Sequence, residues 1–242
     1  MVRAASDVHA LAGSIPFLAA LSALAAVAIM GRGGDKPASA PSVSPQEALS
    51  RSRAAMAEVA GFKFELTHPS GATSLPGGMF LTRAEGAFAA PDRLAVNAEA
   101  NFGRVFVKVQ AVVIGGETYM TNFLTGAWAA VPAEDSPFSF LDPPKLVASL
   151  LGEVKEASFA EQPRTGGDIV VAGKVSAAPF AALVGEVDAS KTVSVKLKLA
   201  PGTFVLKEAL VEGALQLGEG PGAARLIKFS GSGEEIRVER PM

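Results

Sequence analysis

Residues 138–154 read FSFLDPPKLVASLLGEV. Leu146, Val147, Leu150 and Leu151 recur at helical spacing, which gives a short helix one strongly apolar stripe. Asp142 suits the cap at its start. Pro143 and Pro144 fit the turn before it or its first turn, and Gly152 marks the stop. A helix this short is marginal in water by itself, so packing must hold it. The segments on either side read as strands, and the sheet they build is the natural surface for it. Two readings stay open at this point: a core helix of an α+β domain, or a helix that roofs an apolar cavity.

Upstream, Ser44-Pro45-Gln46-Glu47 has the form of a capping box with proline at the first helical position. It predicts a helix to about Ala60, with Ala48, Leu49, Ala55, Met56 and Val59 on its apolar side. Next, Phe62, Phe64 and Leu66 alternate with Lys63, Glu65 and Thr67, the pattern of a strand with one face in water. Pro69–Gly78 reads as a turn-rich loop. Strands follow at Met79–Phe88, Arg93–Phe102, Val105–Ile114 and Glu117–Thr121, with Trp128 and Val131 in a short segment before the central helix. Downstream come Lys155–Glu161 and Asp168–Ser176, a second short helix at Ala178–Val187, and the alternating strand Thr192–Leu199. Phe204–Val211, Leu215–Leu217, Arg225–Phe229 and Glu235–Val238 complete the strand pattern.

So many one-sided strands in hairpin succession imply an α+β fold: a strongly curved antiparallel sheet, a half-barrel, with short helices covering its concave face. Three short helices offer little to fill so large a face, and small side chains are frequent on the inward positions. A concave apolar face with a partial lid is how an apolar ligand site is built. A loosely packed sandwich core is the plainer alternative. Strand parity and the helix stripes name the lining as Phe62, Phe64, Leu66, Val96, Val107, Val109, Leu146, Leu150, Phe180, Leu183, Val195 and Leu197. A one-residue slip would turn any of these strands over.

The domain organisation follows from the N-terminus. Residues 11–30, LAGSIPFLAALSALAAVAIM, carry no charge. That length lies between a signal peptide's apolar region and a membrane span. The expectation for residues 1–30 is therefore a signal peptide or an uncleaved N-terminal transmembrane anchor. Residues 31–44, rich in Gly, Pro, Ser and Ala, read as a flexible tether, and 45–242 as the folded domain. The protein is expected on the outer side of the cytoplasmic membrane or in the cell envelope, anchored or released by cleavage.

Composition narrows the chemistry. The formal net charge is −2 and aromatic residues make up 7%, so nothing points to nucleic acid. There is no cysteine and there are two histidines, His9 and His68, so thiolate catalysis and the common zinc sites have no ligands. His68 reads as a surface or strand-end residue, and no Gly-x-Ser-x-Gly elbow is present. Gly218-Glu219-Gly220-Pro221-Gly222 lacks the context of a phosphate loop and reads as a hairpin turn. Glu134-Asp135 and Glu234-Glu235 are adjacent acids, and neighbours on a strand face opposite ways, so neither makes a catalytic pair. No enzyme, no cofactor and no metal are expected.

Several short motifs occur in a characteristic order. A Pro-Gln-Glu-Ala-Leu helix start is followed by Met56 and a Phe-x-Phe-x-Leu strand. Ala84-Glu85-Gly86, Asp92-Arg93, the run Val112-Val113-Ile114-Gly115-Gly116-Glu117-Thr118-Tyr119 and Trp128 come next. Phe140-Leu141-Asp142-Pro143 with Leu150-Leu151 marks the centre. Val171-Ala172-Gly173-Lys174-Val175 and Leu206-Lys207-Glu208-Ala209-Leu210 close the series. From Ser44 to Pro241 this order resembles the LppX/LprA/LprF/LprG family of envelope lipoproteins. The resemblance implies a half-barrel like that of the LolA/LolB carriers and a cavity for acyl chains. It also implies non-enzymatic binding and transport of acylated lipids or glycolipids, with the membrane and an envelope transporter as partners. One departure stands out. Where such proteins carry an acylated cysteine after the apolar run, this chain has Arg32. The competing expectation is a surface interaction module with a filled core and a protein partner.

Overall fold

The computed structural model describes residues 43–132, 136 and 143–242. All of them lie in the second of the two units into which the chain divides, Ala38–Met242. The apolar run at 11–30, the tether up to residue 42, Glu134-Asp135 and Phe140-Leu141-Asp142 fall outside the described residues.

Helix α1 (Pro45–Ala57) starts at the expected cap: Ser44 is extended, and its Oγ accepts a hydrogen bond from Glu47 N at 3.1 Å. The helix stops before Ala60, because Glu58 N and Val59 N tighten onto the carbonyls of Ala55 and Met56. Ala48, Leu49, Ser52 and Met56 form its buried side.

Seven strands follow: β1 (Gly61–Ser70), β2 (Thr73–Leu75), β3 (Met79–Ala89), β4 (Arg93–Phe102), β5 (Val105–Ile114), β6 (Glu117–Thr121) and β7 (Trp128–Val131). Helix α2 (Pro143–Gly152) precedes β8 (Lys155–Phe159) and β9 (Ile169–Ser176). A 3-10 turn at Ala178–Phe180 runs into the single-turn helix α3 (Ala181–Val184). Strands β10 (Thr192–Leu199), β11 (Leu206–Glu212) and β12 (Ala224–Ser230) finish the regular structure. They form one twelve-stranded antiparallel sheet in the order β7-β6-β5-β4-β3-β1-β12-β11-β10-β9-β8, with β2 paired to the start of β3. This is the open half-barrel.

That order explains the position of α2. The sheet's two edges, β7 and β8, are consecutive strands in the chain. The segment between them must cross from one edge of the sheet to the other, and α2 lies on that crossing. Its Val147, Leu150 and Leu151 are buried, in one core with Leu49 and Met56 of α1. The sheet itself closes at its middle, where β1 pairs with β12 through Phe64↔Phe229 and Leu66↔Ile227. Cross-strand partners share a face, so this pairing sets four apolar side chains side by side.

The two halves of the inner face are filled differently. On β9, β10 and β11, Val171, Val193, Val195, Leu197, Leu199, Leu206 and Val211 are at most 1% exposed. The outer face is polar: Arg83 bridges Glu65 and Glu85 at 2.8 Å, and Lys207 holds Asp168 at 2.8 Å. Exposed pairs of this kind add little stability.

Several boundaries differ from expectation. Pro69–Gly78 is not one loop: β1 runs on to Ser70, and Thr73–Leu75 pairs with Met79–Leu81 before a 3-10 turn. The expected helix at Ala178–Val187 is shortened to the 3-10 turn and α3, since Gly185 takes a positive φ of 76°. Leu215–Leu217 is not a strand, because Leu215 N and Gln216 N bond the Glu219 carboxylate instead of a neighbouring ladder. Glu235–Val238 is not a strand either. It lies as a tail in which Ile236 and Val238 pack with Val112 and Trp128, and Arg93 Nη1 donates to Val238 O at 3.2 Å.

Candidate functional site

Where α2 and the 178–184 turn lie over the β1–β12 seam, they leave an apolar chamber of about 90 Å³. Phe62 and Phe64 from β1 and Ile227 and Phe229 from β12 form its floor. Pro143, Leu146, Val147 and Leu150 of α2, with Pro179, Phe180 and Leu183, form its roof. The floor rings are locked together: Phe62 meets Phe229 edge-on at 5.5 Å and Phe88 at 5.6 Å. A second chamber of about 80 Å³ adjoins the first, sharing Phe64, Phe180, Leu183 and Ile227. It continues along β1 to Leu66, Leu81, Val184 and Val211, and ends at two polar residues, Thr73 and Arg225.

Of the twelve residues expected to line a cavity, Phe62, Phe64, Leu66, Leu146, Leu150, Phe180 and Leu183 surround these two chambers. The other five do not. Val195 and Leu197 of β10 are fully buried in the core and line neither chamber. Val96 and Val107, 7% and 5% exposed, are buried further along the sheet, and Val109 is half-buried beside a polar surface groove with Asn97 and Gln110. Parity names a face of each strand; it does not show which part of that face is filled by core side chains. A wider depression, about 720 Å³, lies on the outer face among Lys63, Glu65, Arg83, Lys198 and Lys207. Its lining is charged, with Arg83 paired to Glu65 and Lys207 to Asp168, and it is open to water, so it has none of the burial an apolar ligand needs.

Four residues at the far end of the second chamber were not recognised in the sequence. Arg225 is 4% exposed, and its Nε donates to Thr73 Oγ1 at 2.9 Å. Its Nη2 donates to Glu219 Oε1, and Glu219 Oε2 accepts from Leu215 N and Gln216 N. Gln216 Nε2 donates to Ser74 O and Val184 O at 2.8 and 2.7 Å, which ties the end of α3 to β2. A signal was available for Arg225: in β12 it alternates in step with Ile227 and Phe229, an arginine on the apolar parity.

His68 completes this group. It is half-buried near the end of β1, and Nδ1 lies 3.0 Å from Thr82 O. A carbonyl only accepts, so Nδ1 carries the proton, and Nε2 accepts from the Thr73 hydroxyl at 2.9 Å. Burial, reinforced by the Arg225 charge, holds the His68 pKa below its ordinary value against the opposing pull of the Thr82 carbonyl and Glu219. Neutral imidazole in the fold and a usual pKa of about 6.5 in the unfolded chain mean that the unfolded state binds more protons in mild acid. The His68 contribution to stability is thus present above about pH 6.5 and is lost as pH falls below it. The melting temperature of His68→Gln is expected to fall less steeply than that of the parent between neutral and mildly acidic pH; parallel curves would refute the assignment.

Among the described residues no group of His, Asp and Glu is placed to hold a metal, and no helix is long and apolar enough to cross a membrane. Glu234 and Glu235, the adjacent acids, each pair with a surface base, Lys63 and Arg237.

The LppX_LprAFG lipoprotein family model matches residues 44–238. Among solved structures, LprF from Mycobacterium bovis superposes with a TM-score of 0.59 at 15% identity, over 84% of this chain and 99% of that one. Lipoprotein LppX from Mycobacterium tuberculosis gives 0.56 at 18% identity, over 81% and 98%. No curated protein matches the chain.

Proposed function

The chain belongs to the LppX_LprAFG lipoprotein family, and from that premise we propose that it binds acylated lipids or glycolipids without catalysis and carries them in the cell envelope. The observation that carries this reading is the pair of adjoining chambers on the β1–β12 floor, the first of which lies under the α2 roof and exposes no polar surface to its interior. Acyl chains would be held there by burial, at about 0.8 kcal/mol for each methylene removed from water. Small-molecule cavities usually run to about 300–1,000 Å³. The chambers, about 90 and 80 Å³, are smaller than that, so loading requires α2 and the 178–184 turn to part from the sheet. The roof suits such a motion, since Pro143, Leu146 and Leu183 are incompletely buried. The membrane is the source or sink of the cargo and an envelope transporter its supplier. Residues 1–30 deliver the domain to the outer side of the membrane as an anchor or a cleaved signal, and 45–242 is the carrier domain. These 242 residues contain no cysteine, so no thioether-linked lipid tethers them.

The small chamber volume favours one other reading, an interaction module with a closed core. Mass spectrometry of an organic extract from the full chain, purified after export into a cell envelope, separates the two. A stoichiometric acyl lipid is expected. A clean extract that stays clean after incubation with envelope lipid vesicles would refute lipid carriage and leave the interaction module.

A further inference from the structure

We infer that Arg225 reads the ligand of this cavity: its Nη1 donates a hydrogen bond to the carbonyl oxygen of an acyl ester whose chain lies in the two apolar chambers. The inference rests on the lipid-binding reading and adds to it the chemical group that is recognised.

A guanidinium has five N–H donors, and burying it is costly unless they are paired. In Arg225, Nε is satisfied by Thr73 and Nη2 by Glu219. Nη1 is buried and has no hydrogen-bond partner among the described residues. The side chain is 5% exposed, so it is shielded from bulk solvent. Arg225 forms part of the wall of the second chamber, where every other lining residue except Thr73 is apolar. A buried donor left unpaired in a well-bonded network calls for an acceptor that the protein does not provide.

The network also fixes the donor in place. Glu219 is held by the backbone N–H groups of Leu215 and Gln216, and Thr73 by His68, so Arg225 is oriented from two sides before any ligand arrives. The same partners decide which acceptor fits. Glu219 already offsets the guanidinium charge, and no second cation lines the chamber. A carboxylate entering here would leave a net negative charge in apolar surroundings, which is strongly unfavourable. An ester carbonyl accepts the same N–H without adding charge. Its acyl chain then runs from Arg225 past Phe64 and Leu183 toward the α2 roof.

The test uses the full chain, stripped of lipid and given an equimolar mixture of methyl laurate, laurate and dodecane on a cyclodextrin carrier at mildly alkaline pH. Retained ligands are measured by mass spectrometry. Methyl laurate is expected to be retained about tenfold or more over both dodecane and laurate, the ratio for one hydrogen bond from a charged donor. The infrared stretch of an isotope-labelled ester carbonyl is expected to fall on binding. In the double variant Arg225→Met, Glu219→Gln, which removes both charges together, the ratio of ester to alkane retained is expected to fall to about one. Should that variant fail to fold, the parent's competition and infrared spectrum still decide. Equal retention of ester and alkane with an unmoved carbonyl would overturn the role of Arg225 while leaving lipid binding intact. Preference for laurate would overturn the ester assignment. Retention of none of the three would overturn the lipid-binding reading itself.

Discussion

Gly86→Ala is expected to lower the melting temperature by about 5–10 °C and to displace the ring that forms the floor of both chambers. Gly86 lies in β3, opposite Phe64 of β1 on one side and Val96 of β4 on the other. A methyl group at this position would sit 2.2 Å from the Ala95 carbonyl oxygen and 2.7 Å from Phe64 Cζ. Real Cβ atoms do not approach backbone that closely, so either β4 moves away or the sheet bends. The Phe64 ring must shift as well, into the space it now lines. Overpacking of this sort costs about 1–3 kcal/mol, and more where backbone must move. In a domain of this size each kcal/mol is worth about 2–4 °C. Thermal melting of the variant, alongside Phe64→Ala and the double variant, tests the mechanism. Phe64→Ala removes the ring conflict and leaves the carbonyl conflict, so partial rescue is expected. An unshifted melting temperature in Gly86→Ala would refute the close approach of β3 to β4.

The same glycine shows what was legible beforehand and what was not. Strand parity at Phe62, Phe64 and Leu66 was readable from alternation alone, because a half-buried antiparallel strand must present its apolar residues every second position. The central helix was readable from spacing, and the sheet order accounts for its place: a chain that ends one sheet edge and begins the other has to cross between them. Pairing across long separations was not readable. Nothing local in Phe64 or Phe229 says that they are neighbours across 165 positions, yet that pairing creates the floor of the site. Occupancy of the inner face was equally hidden. Val195 and Leu197 have the same pattern as Phe62 and Phe64, and only the packing in three dimensions separates filled core from chamber lining. Leu215–Leu217 failed for another reason. Its backbone donors are taken by the Glu219 carboxylate, so an apolar run with strand composition turns into the loop that holds Arg225.

Leu150→Trp is expected to reduce bound acyl lipid about tenfold or more while the protein stays folded. Leu150 is 5% exposed and stands in the α2 roof, over Phe62, Phe64 and Phe229 of the floor. The indole would occupy the space that an acyl chain needs. Its N–H would find no acceptor, since the lining of this chamber exposes no polar surface. An unsatisfied buried donor costs about 1–3 kcal/mol. Leu150→Phe blocks the chamber without that donor, and so separates occlusion from destabilisation; both variants are expected to lose lipid, and the tryptophan variant alone to lose appreciable stability. Leu197→Ala supplies the opposite case. Leu197 is fully buried in the core and lines neither chamber, and losing the side chain there costs about 2–5 kcal/mol. It is expected to lower the melting temperature and leave the lipid content of the folded protein unchanged. Extraction and mass spectrometry of the three purified variants, with melting curves for each, give the comparison. Full lipid content in folded Leu150→Phe would show that the ligand lies elsewhere on the inner face. Loss of lipid in folded Leu197→Ala would move the ligand to the β9–β11 side of the sheet.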